Sequence, residues 1–326
     1  MVLVAAVAVS TLIGAADLGW SRVVGEVVAQ VTGGVSPLSE REAAIVWQVR
    51  VPRVLLAGLV GAALAVSGAA YQGVFRNPLA DPYLLGAAAG AGMAATIVVV
   101  AAPEAAGWIV GPLPLAAFLG ALGGVGLTWL LGRSAGNGTA VLLLSGIAVA
   151  AFLTAIQTFA QQLNTDTIKQ VYTWMLGGLN TSGWHDVLLT LPYIGVSSVV
   201  LCLSARLLDI LAVGDEEAAS LGLRPSRVRL WVLLAASLAT AAAVAVSGLI
   251  GFVGIVVPHV VRLMAGASYR VVIPLSLLGG AVFLIVADQI ARTVVAPAEL
   301  PLGVITAFTG APFFLIILRA NRNRVQ

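Results

Sequence analysis

Ten separate runs of roughly fifteen to twenty apolar residues constrain this chain more than any other feature. They fall at 2–16, 54–75, 84–102, 113–131, 140–161, 187–205, 230–249, 251–265, 271–290 and 302–318. About twenty apolar residues in a helix match the hydrocarbon thickness of a bilayer, and a spanning segment must satisfy its own backbone hydrogen bonds. The expected fold class is all-α, a polytopic membrane protein with ten transmembrane helices in a single domain over 1–326. Charged residues make up 10% and hydrophobic ones 60%, against about 25% charged in soluble domains. The first run would be only about 24 Å long at 1.5 Å per residue. It has no basic n-region, so it is expected to be a span rather than a cleaved signal, and its shortness leaves room for an upstream start. Gly251, Gly254 and Pro258 interrupt the eighth run and predict a broken or tilted helix.

An even number of spans puts both termini on one side. With the termini cytoplasmic, eleven basic residues lie inside and six outside, as the positive-inside bias requires. The net charge of +3 rests on arginine, with no basic run that would bind nucleic acid. Cys202, the single cysteine, sits in an apolar run and is expected to be a small buried hydrophobe, which leaves no disulfide frame and no cysteine metal site. Lys169, the single lysine, follows Ile168, so the chain lacks the Gly-Lys-Ser/Thr of a phosphate-binding loop. Any ATP-driven role therefore requires a separate ATPase, and no cofactor is expected on this chain.

Segment 207–229 is the one long charged stretch between spans, and it is expected to form a cytoplasmic loop. Asp215 can cap a short helix there. Glu216 and Glu217 occupy its first turn, where the dipole favours anions, Ala218, Ala219 and Leu221 are good formers, and Gly222 supplies the stop. Such a helix suits a groove in a soluble partner, and equally a solvated loop.

Other stretches carry weaker signals. Arg50 and Arg53, three apart at the outer surface, should lie on neighbouring positions of one helix face. Gly58, Gly61, Ala62, Ala65 and Gly68 form a small-residue stripe for close helix packing. Asn77-Pro78 and Asp81-Pro82 predict a sharp cytoplasmic hairpin. Loop 132–139, with Asn137, Gly138 and Thr139, is either a hinge or a plain turn. Thr154, Gln157, Thr158 and Gln161 share one face of the fifth span, where they line a wet path or hydrogen-bond to another helix; Thr306 and Thr309 repeat the pattern on a smaller scale. Tyr172, Trp174 and Trp184 around Gly177-Gly178 predict a short helix along the outer surface. His185 should make only a surface contact beside Asp186, and His259 should cap locally with Arg262. Asp288 precedes Arg292 by four, the favoured order for a helical ion pair. No nucleophile with a base, no paired carboxylates and no ligand cluster is visible, so an enzyme ranks low and no metal site is expected. An ion-coupled secondary transporter, using Asp288 and His259, is the alternative to an ATP-driven permease.

Several of these stretches together resemble the permease subunits of type II ABC importers for iron-siderophores, haem and cobalamin. They are Arg50-Val51-Pro52-Arg53, GAALAVSGAAYQGVFRNPLADPYLLG at 61–86, GDEEAASLGL at 214–223, GLIGFVGIVVPHVVR at 248–262, and ADQIAR with ELPLGVITAFTGAPFF across 287–314. The resemblance covers nearly the whole chain after the first span. It implies a ten-helix permease in the bacterial cytoplasmic membrane, working as a homodimer with a path on the dimer axis. Its implied partners are two ABC ATPase subunits that carry ATP and Mg, and a periplasmic or lipid-anchored binding protein. It further implies that Asp215, Glu216, Glu217, Ala218, Ala219, Leu221 and Gly222 form the helix seated in the ATPase. Arg50, Arg53 and Arg292 would meet glutamates of the binding protein, Asn137, Gly138 and Thr139 would form a gate, and Thr154, Gln157, Thr158 and Gln161 with Trp174 would border the path.

Overall fold

The computed structural model describes residues 1–14, 16, 18–102, 112–136, 138–179 and 183–322. Among these, the regular elements are all helical: α1 (Val2–Leu12), α2 (Trp20–Thr32), α3 (Glu40–Ala44), α4 (Val51–Phe75), α5 (Ala87–Ala101), α6 (Pro112–Ala135), α7 (Thr139–Leu163), α8 (Ile168–Met175), α9 (Trp184–Val213), α10 (Asp215–Ser220), α11 (Pro225–Ser247), α12 (Val253–Ala265), α13 (Tyr269–Thr293) and α14 (Leu302–Arg322). Among the described residues, six helical segments are long and apolar enough to cross a membrane: Glu40–Phe75, Pro112–Ala135, Thr139–Leu163, Trp184–Val213, Pro225–Ser247 and Tyr269–Thr293. Four shorter apolar helices accompany them, Val2–Leu12, Ala87–Ala101, Val253–Ala265 and Leu302–Ile316.

The centre of the bundle is α4, enclosed by α9, α11, α12 and α13. Lipid gives apolar helices no reason to associate with each other, so close approach of backbones and buried polar links must do it. The small-residue stripe provides the approach. A Cβ at Gly61 would lie 2.1 Å from the Gly280 carbonyl oxygen of α13, and one at Gly68 would lie 2.1 Å from that of Gly254 in α12. The polar links come from the same helix. Ser67 donates to the Ala236 carbonyl at 2.9 Å, Tyr71 pairs with Ser237 at 2.8 Å, and Gln72 donates to the Gly254 carbonyl at 3.0 Å. A second group, α5, α6 and α7, packs on itself and joins the first through α11.

Two helical segments are longer than the bilayer requires, and the excess places function. Residues 40–75 run as one helix through a π-helical segment at Ile45–Arg50. At 36 residues it is about 54 Å long, against roughly 30 Å of hydrocarbon. Its N-terminal end therefore projects beyond the core, where Ser39 and Glu42 close a capping box and α2 packs against it. The other overlong helix, α9, has 30 residues and carries α10 beyond the opposite end.

The expected hairpin at 76–86 is sharp; Arg76, Pro78 and Leu79 are exposed at its start, and its second half turns into the bundle. Asp81 accepts from the Tyr83 amide and caps a short 3-10 turn at Pro82–Leu85, as its Asp-Pro start predicts, yet Ala80, Pro82 and Leu85 are buried. The cause is a second non-helical stretch, 248–252, that meets it inside the bundle. The Tyr83 hydroxyl donates to the Ile250 carbonyl and accepts from its amide, at 3.1 and 3.2 Å. Irregular backbone at depth is tolerated where protein satisfies it. This also explains why α5 and α12 are short. Far from being broken at Pro258, α12 is continuous from Val253, and the interruption falls before it, where Phe252 has a φ of 68°.

Cys202 departs from expectation, because it is exposed on α9. In a membrane bundle an apolar run faces lipid as readily as core, so hydropathy alone does not report burial.

Candidate functional site

The opposite ends of the bundle each carry a charged arrangement. At the end of the bundle where α4 begins, a cavity of about 850 Å³ lies among the first turn of α4, the helix α8, the C-terminal ends of α11 and α13, and the segment before α14. Arg53, Lys169, Asp166, Asp186, Asp288 and Glu299 line it, together with Trp174. The predicted surface helix is α8, held by its buried Val171. Trp184 anchors the following helix by donating its indole N–H to the Trp47 carbonyl at 2.9 Å. His185 contacts Asp186 at 3.4 Å, as expected of a surface pair.

The three arginines at this end have unequal positions. Arg53 reaches the Asp288 carboxylate at 2.9 Å and Glu299 at 2.8 Å, with its side chain 13% exposed. Arg292 is 4% exposed; it approaches Asp288 at 3.3 Å and donates to the Ser10 hydroxyl and the Gln289 amide oxygen, both at 2.6 Å. The expected helical pair of Asp288 and Arg292 is thus present, but Asp288 also holds Arg53. Arg50, also 4% exposed, donates to the carbonyls of Thr11, Leu12 and Ala16 at and just after the end of α1, beside the Ser10 that Arg292 holds. Arg50 and Arg53 thus engage different parts of the chain, Arg53 the carboxylates and Arg50 the backbone at and after the end of α1. The chain there folds over Arg50 and takes up its donors, which helical spacing alone does not reveal. Glu299 carried no signal in sequence, because a lone glutamate in a loop acquires meaning only from Arg53. The hydrogen bonds from Arg53 hold its carboxyl below the ordinary value.

At the other end, α10 begins at Asp215, with Gly214 rather than Asp215 as its N-cap. The Asp215 side chain is occupied elsewhere. It accepts from Arg229 of α11 at 2.8 Å and from Arg76, at the end of α4, at 2.6 Å. Bonding to Arg229 first, and the charge of Arg76 with it, hold the Asp215 carboxyl below its ordinary range. Ala218 is buried, while Glu216, Glu217, Ala219, Leu221 and Gly222 are exposed. The stop is as predicted: Gly222 has a φ of 83°, its amide bonds the Ala219 carbonyl and the Leu223 amide bonds that of Ala218. This closes a left-handed cap. Arg76 and Arg229 read in sequence only as loop charges, since nothing local reveals their shared partner.

The polar face of α7 divides. Gln157 is buried and donates to the Met175 sulfur at 3.0 Å, which makes it a helix-to-helix link. Thr154 and Thr158 are exposed, with Gln161 partly so, and the Thr158 hydroxyl bonds the Thr154 carbonyl. Thr306 and Thr309 bond backbone carbonyls of their own helix. The predicted capping of His259 by Arg262 is absent. His259 instead packs edge-on to Phe313 at 5.8 Å, while Arg262 donates to the Gln72 amide oxygen and lies over the Tyr269 ring. Those partners lie across helices and outcompete a local contact. Asn137 lies outside the described residues; Gly138 caps α7 and Thr139 begins it. Among the described residues no group of three or more His, Cys, Asp or Glu is gathered for a metal.

An all-helical multi-pass bundle, with a charged cavity at one end and a short exposed helix tied to the other, has the build of a membrane transport subunit. The chain belongs to the FecCD transport family, whose description matches residues 2–320. Similar proteins include the cobalamin import system permease protein BtuC of Halobacterium salinarum, 42% identical over 86% of this chain and 74% of that protein. The hemin transport system permease protein HmuU of Yersinia pestis is 41% identical over 86% of this chain and 85% of its own length. Among solved structures, a metal-chelate type ABC transporter in an inward-facing conformation aligns with a TM-score of 0.83 at 27% identity, covering 98% of this chain and 96% of that one.

Proposed function

We propose that this chain is the permease subunit of an ATP-driven importer that carries an iron chelate, haem or cobalamin from a binding protein into the cytoplasm. The observation that carries this reading is α10. It exposes Glu216, Glu217, Ala219 and Leu221 beyond the end of α9, while Asp215 ties its first turn to α4 and α11. A short helix exposed on one side and ionically fixed on the other can pass a push from a soluble ATPase to two spanning helices. The names of the cobalamin and hemin relatives, and of an Fe(3+)-citrate permease from Bacillus subtilis at 35% identity, support the substrate class.

On this reading the six long and four shorter apolar helices make ten crossings, with both termini on the cytoplasmic side of a bacterial inner membrane. Two copies of the chain enclose the path. The exposed Thr154, Thr158 and Gln161 of α7 border it, Gln157 braces that helix, and Trp174 stands at its outer mouth. The residues 137–139 form the gate. Two ATPase subunits, which hold ATP and Mg, receive Asp215 to Gly222. A binding protein docks over the outer cavity, where Arg53 is the arginine within reach, while Arg50 and Arg292 hold the surrounding backbone. ATP closes the ATPase dimer, α10 shifts, and the movement passes through Asp215 to Arg76 and Arg229. Proton coupling is disfavoured because Asp288 is clamped between two guanidinium groups.

The test is uptake of labelled ferric siderophores, haem and cobalamin by cells with and without the gene, under a protonophore with ATP maintained. Loss of one substrate's protonophore-resistant uptake on deletion is the expected result. Uptake that collapses with the protonophore would overturn the ATP-driven reading.

A further inference from the structure

At the end of the bundle that carries α10, a cavity of about 370 Å³ opens between the end of α6, the start of α7 and the first turns of α11. Its charged lining is Arg133, Arg227 and Arg229, with no carboxylate. Arg229 directs its terminal nitrogens to Asp215, outside the lining, and its buried Nε has no hydrogen-bond partner. Neither Arg133 nor Arg227 pairs with a carboxylate among the described residues. The first turn of α11 adds the positive end of a 23-residue helix. The rest of the wall is mostly apolar, with Trp129, Leu142 and Leu233, and also takes in Gly138, Thr139 and Ser226. Next to Trp129, Leu130 and Leu131 face outward and are exposed.

We propose that this cavity binds a phosphate-bearing anion, and that its occupant is the headgroup of an anionic phospholipid. Two guanidinium groups without a carboxylate partner, Arg133 and Arg227, supply donors for phosphate oxygens, and guanidinium matches that geometry. The apolar wall is what separates a lipid from free phosphate. A headgroup placed against Arg133 and Arg227 can run its acyl chains past Trp129 and along Leu130 and Leu131, whereas a free ion leaves that wall uncovered. Tryptophan at headgroup depth and basic pockets between cytoplasmic helix ends are the usual partners of such lipids. The site takes in Gly138 and Thr139 of the proposed gate and stands apart from the exposed side of α10.

The test is native mass spectrometry of the full-length protein in mild detergent, titrated with phosphatidylglycerol or phosphatidylcholine, with and without excess inorganic phosphate. At about 1 kcal/mol per basic residue near an anionic surface, Arg133→Gln with Arg227→Gln is expected to weaken phosphatidylglycerol binding about 30-fold and to leave phosphatidylcholine unchanged. Arg206→Gln with Arg319→Gln removes the same charge from exposed positions outside the cavity and is expected to bind as wild type. Arg133→Lys with Arg227→Lys, expected to retain most binding, separates loss of charge from misfolding. The proposal is overturned if the cavity variant binds phosphatidylglycerol like wild type, or if the control variant loses as much. Displacement by inorganic phosphate, with no preference between the two lipids, would overturn the lipid occupant and assign the cavity to the free ion.

Discussion

Arg53 and Asp288 are 235 positions apart in the chain and 2.9 Å apart in space. Asp288 is 1% exposed, and Arg292 approaches it from the same helix at 3.3 Å. One buried carboxylate therefore compensates two guanidinium groups. Taking it away leaves Arg292 without a carboxylate and Arg53 with only the rim carboxylate of Glu299, which costs far more than a surface pair is worth. Asp288→Asn is expected to destabilise by about 3–5 kcal/mol, read as a lower melting temperature and yield in detergent. Glu299→Gln, at the solvent rim of the same cluster, is expected to cost about 1 kcal/mol or less. Equal losses in the two variants would contradict this assignment of the cluster.

The rim pair also has a defined pH window. Arg53 holds the Glu299 carboxyl below its ordinary value of 4.5. A depressed carboxyl contributes stability that is fully present above the ordinary value and is lost as pH falls through the folded one. The difference in melting temperature between wild type and Glu299→Gln should therefore be flat from about pH 5 to 8 and shrink below about pH 4. A difference that grows on acidification would show that Glu299 is not held by Arg53.

The parts of this fold legible in sequence were those with a local cause. Apolar length located the long spans, Gly222 marked the stop of α10, and the stripe from Gly58 to Gly68 marked a close-packed helix. What could not be read depends on distant partners. Ser67, Tyr71 and Gln72 are unremarkable polar residues until α11 and α12 meet them. Asp215 looked like a cap because capping is the local use of an aspartate, and Arg76 lies 139 positions away. The capping box of Ser39 and Glu42 was available as Ser-x-x-Glu, but it precedes a π-helical segment that periodicity does not reveal. The burial of Arg50 follows from the end of α1 folding over it, which no pattern around Arg50 encodes.

The close helix crossings give a test that is independent of charge. A methyl group at Gly68 would meet the Gly254 backbone at 2.1 Å, and backbone cannot swing aside as a side chain can. Gly123 on α6 has nothing within 4 Å of the same position. Gly68→Ala is expected to separate α4 from α12, at a cost of about 3 kcal/mol or more, in the upper range for an overpacked site. Gly123→Ala should be neutral or stabilising by up to about 1 kcal/mol, since alanine is the better helix former. Thermal unfolding of the two purified variants distinguishes them, and similar melting temperatures would rule out the crossing.

The coupling arrangement makes the most specific demand. Asp215 joins α10 to α4 through Arg76 and to α11 through Arg229, yet its side chain is 45% exposed. The pair with Arg229 should therefore be worth only about 0.5–1 kcal/mol of folding stability in a double-mutant cycle of Asp215→Asn and Arg229→Gln. Its importance would lie in transmission. Asp215→Asn leaves Glu216, Glu217 and Leu221 on the exposed side, so the ATPase should still assemble and hydrolyse ATP while uptake falls severalfold. Glu217→Arg reverses a charge on the exposed side itself and should impair assembly as well as uptake. Co-purification of the ATPase, measured beside uptake and ATP hydrolysis, separates the two. Full uptake by Asp215→Asn would show that motion of α10 reaches the spanning helices by another route, and normal uptake by Glu217→Arg would remove α10 from the ATPase interface.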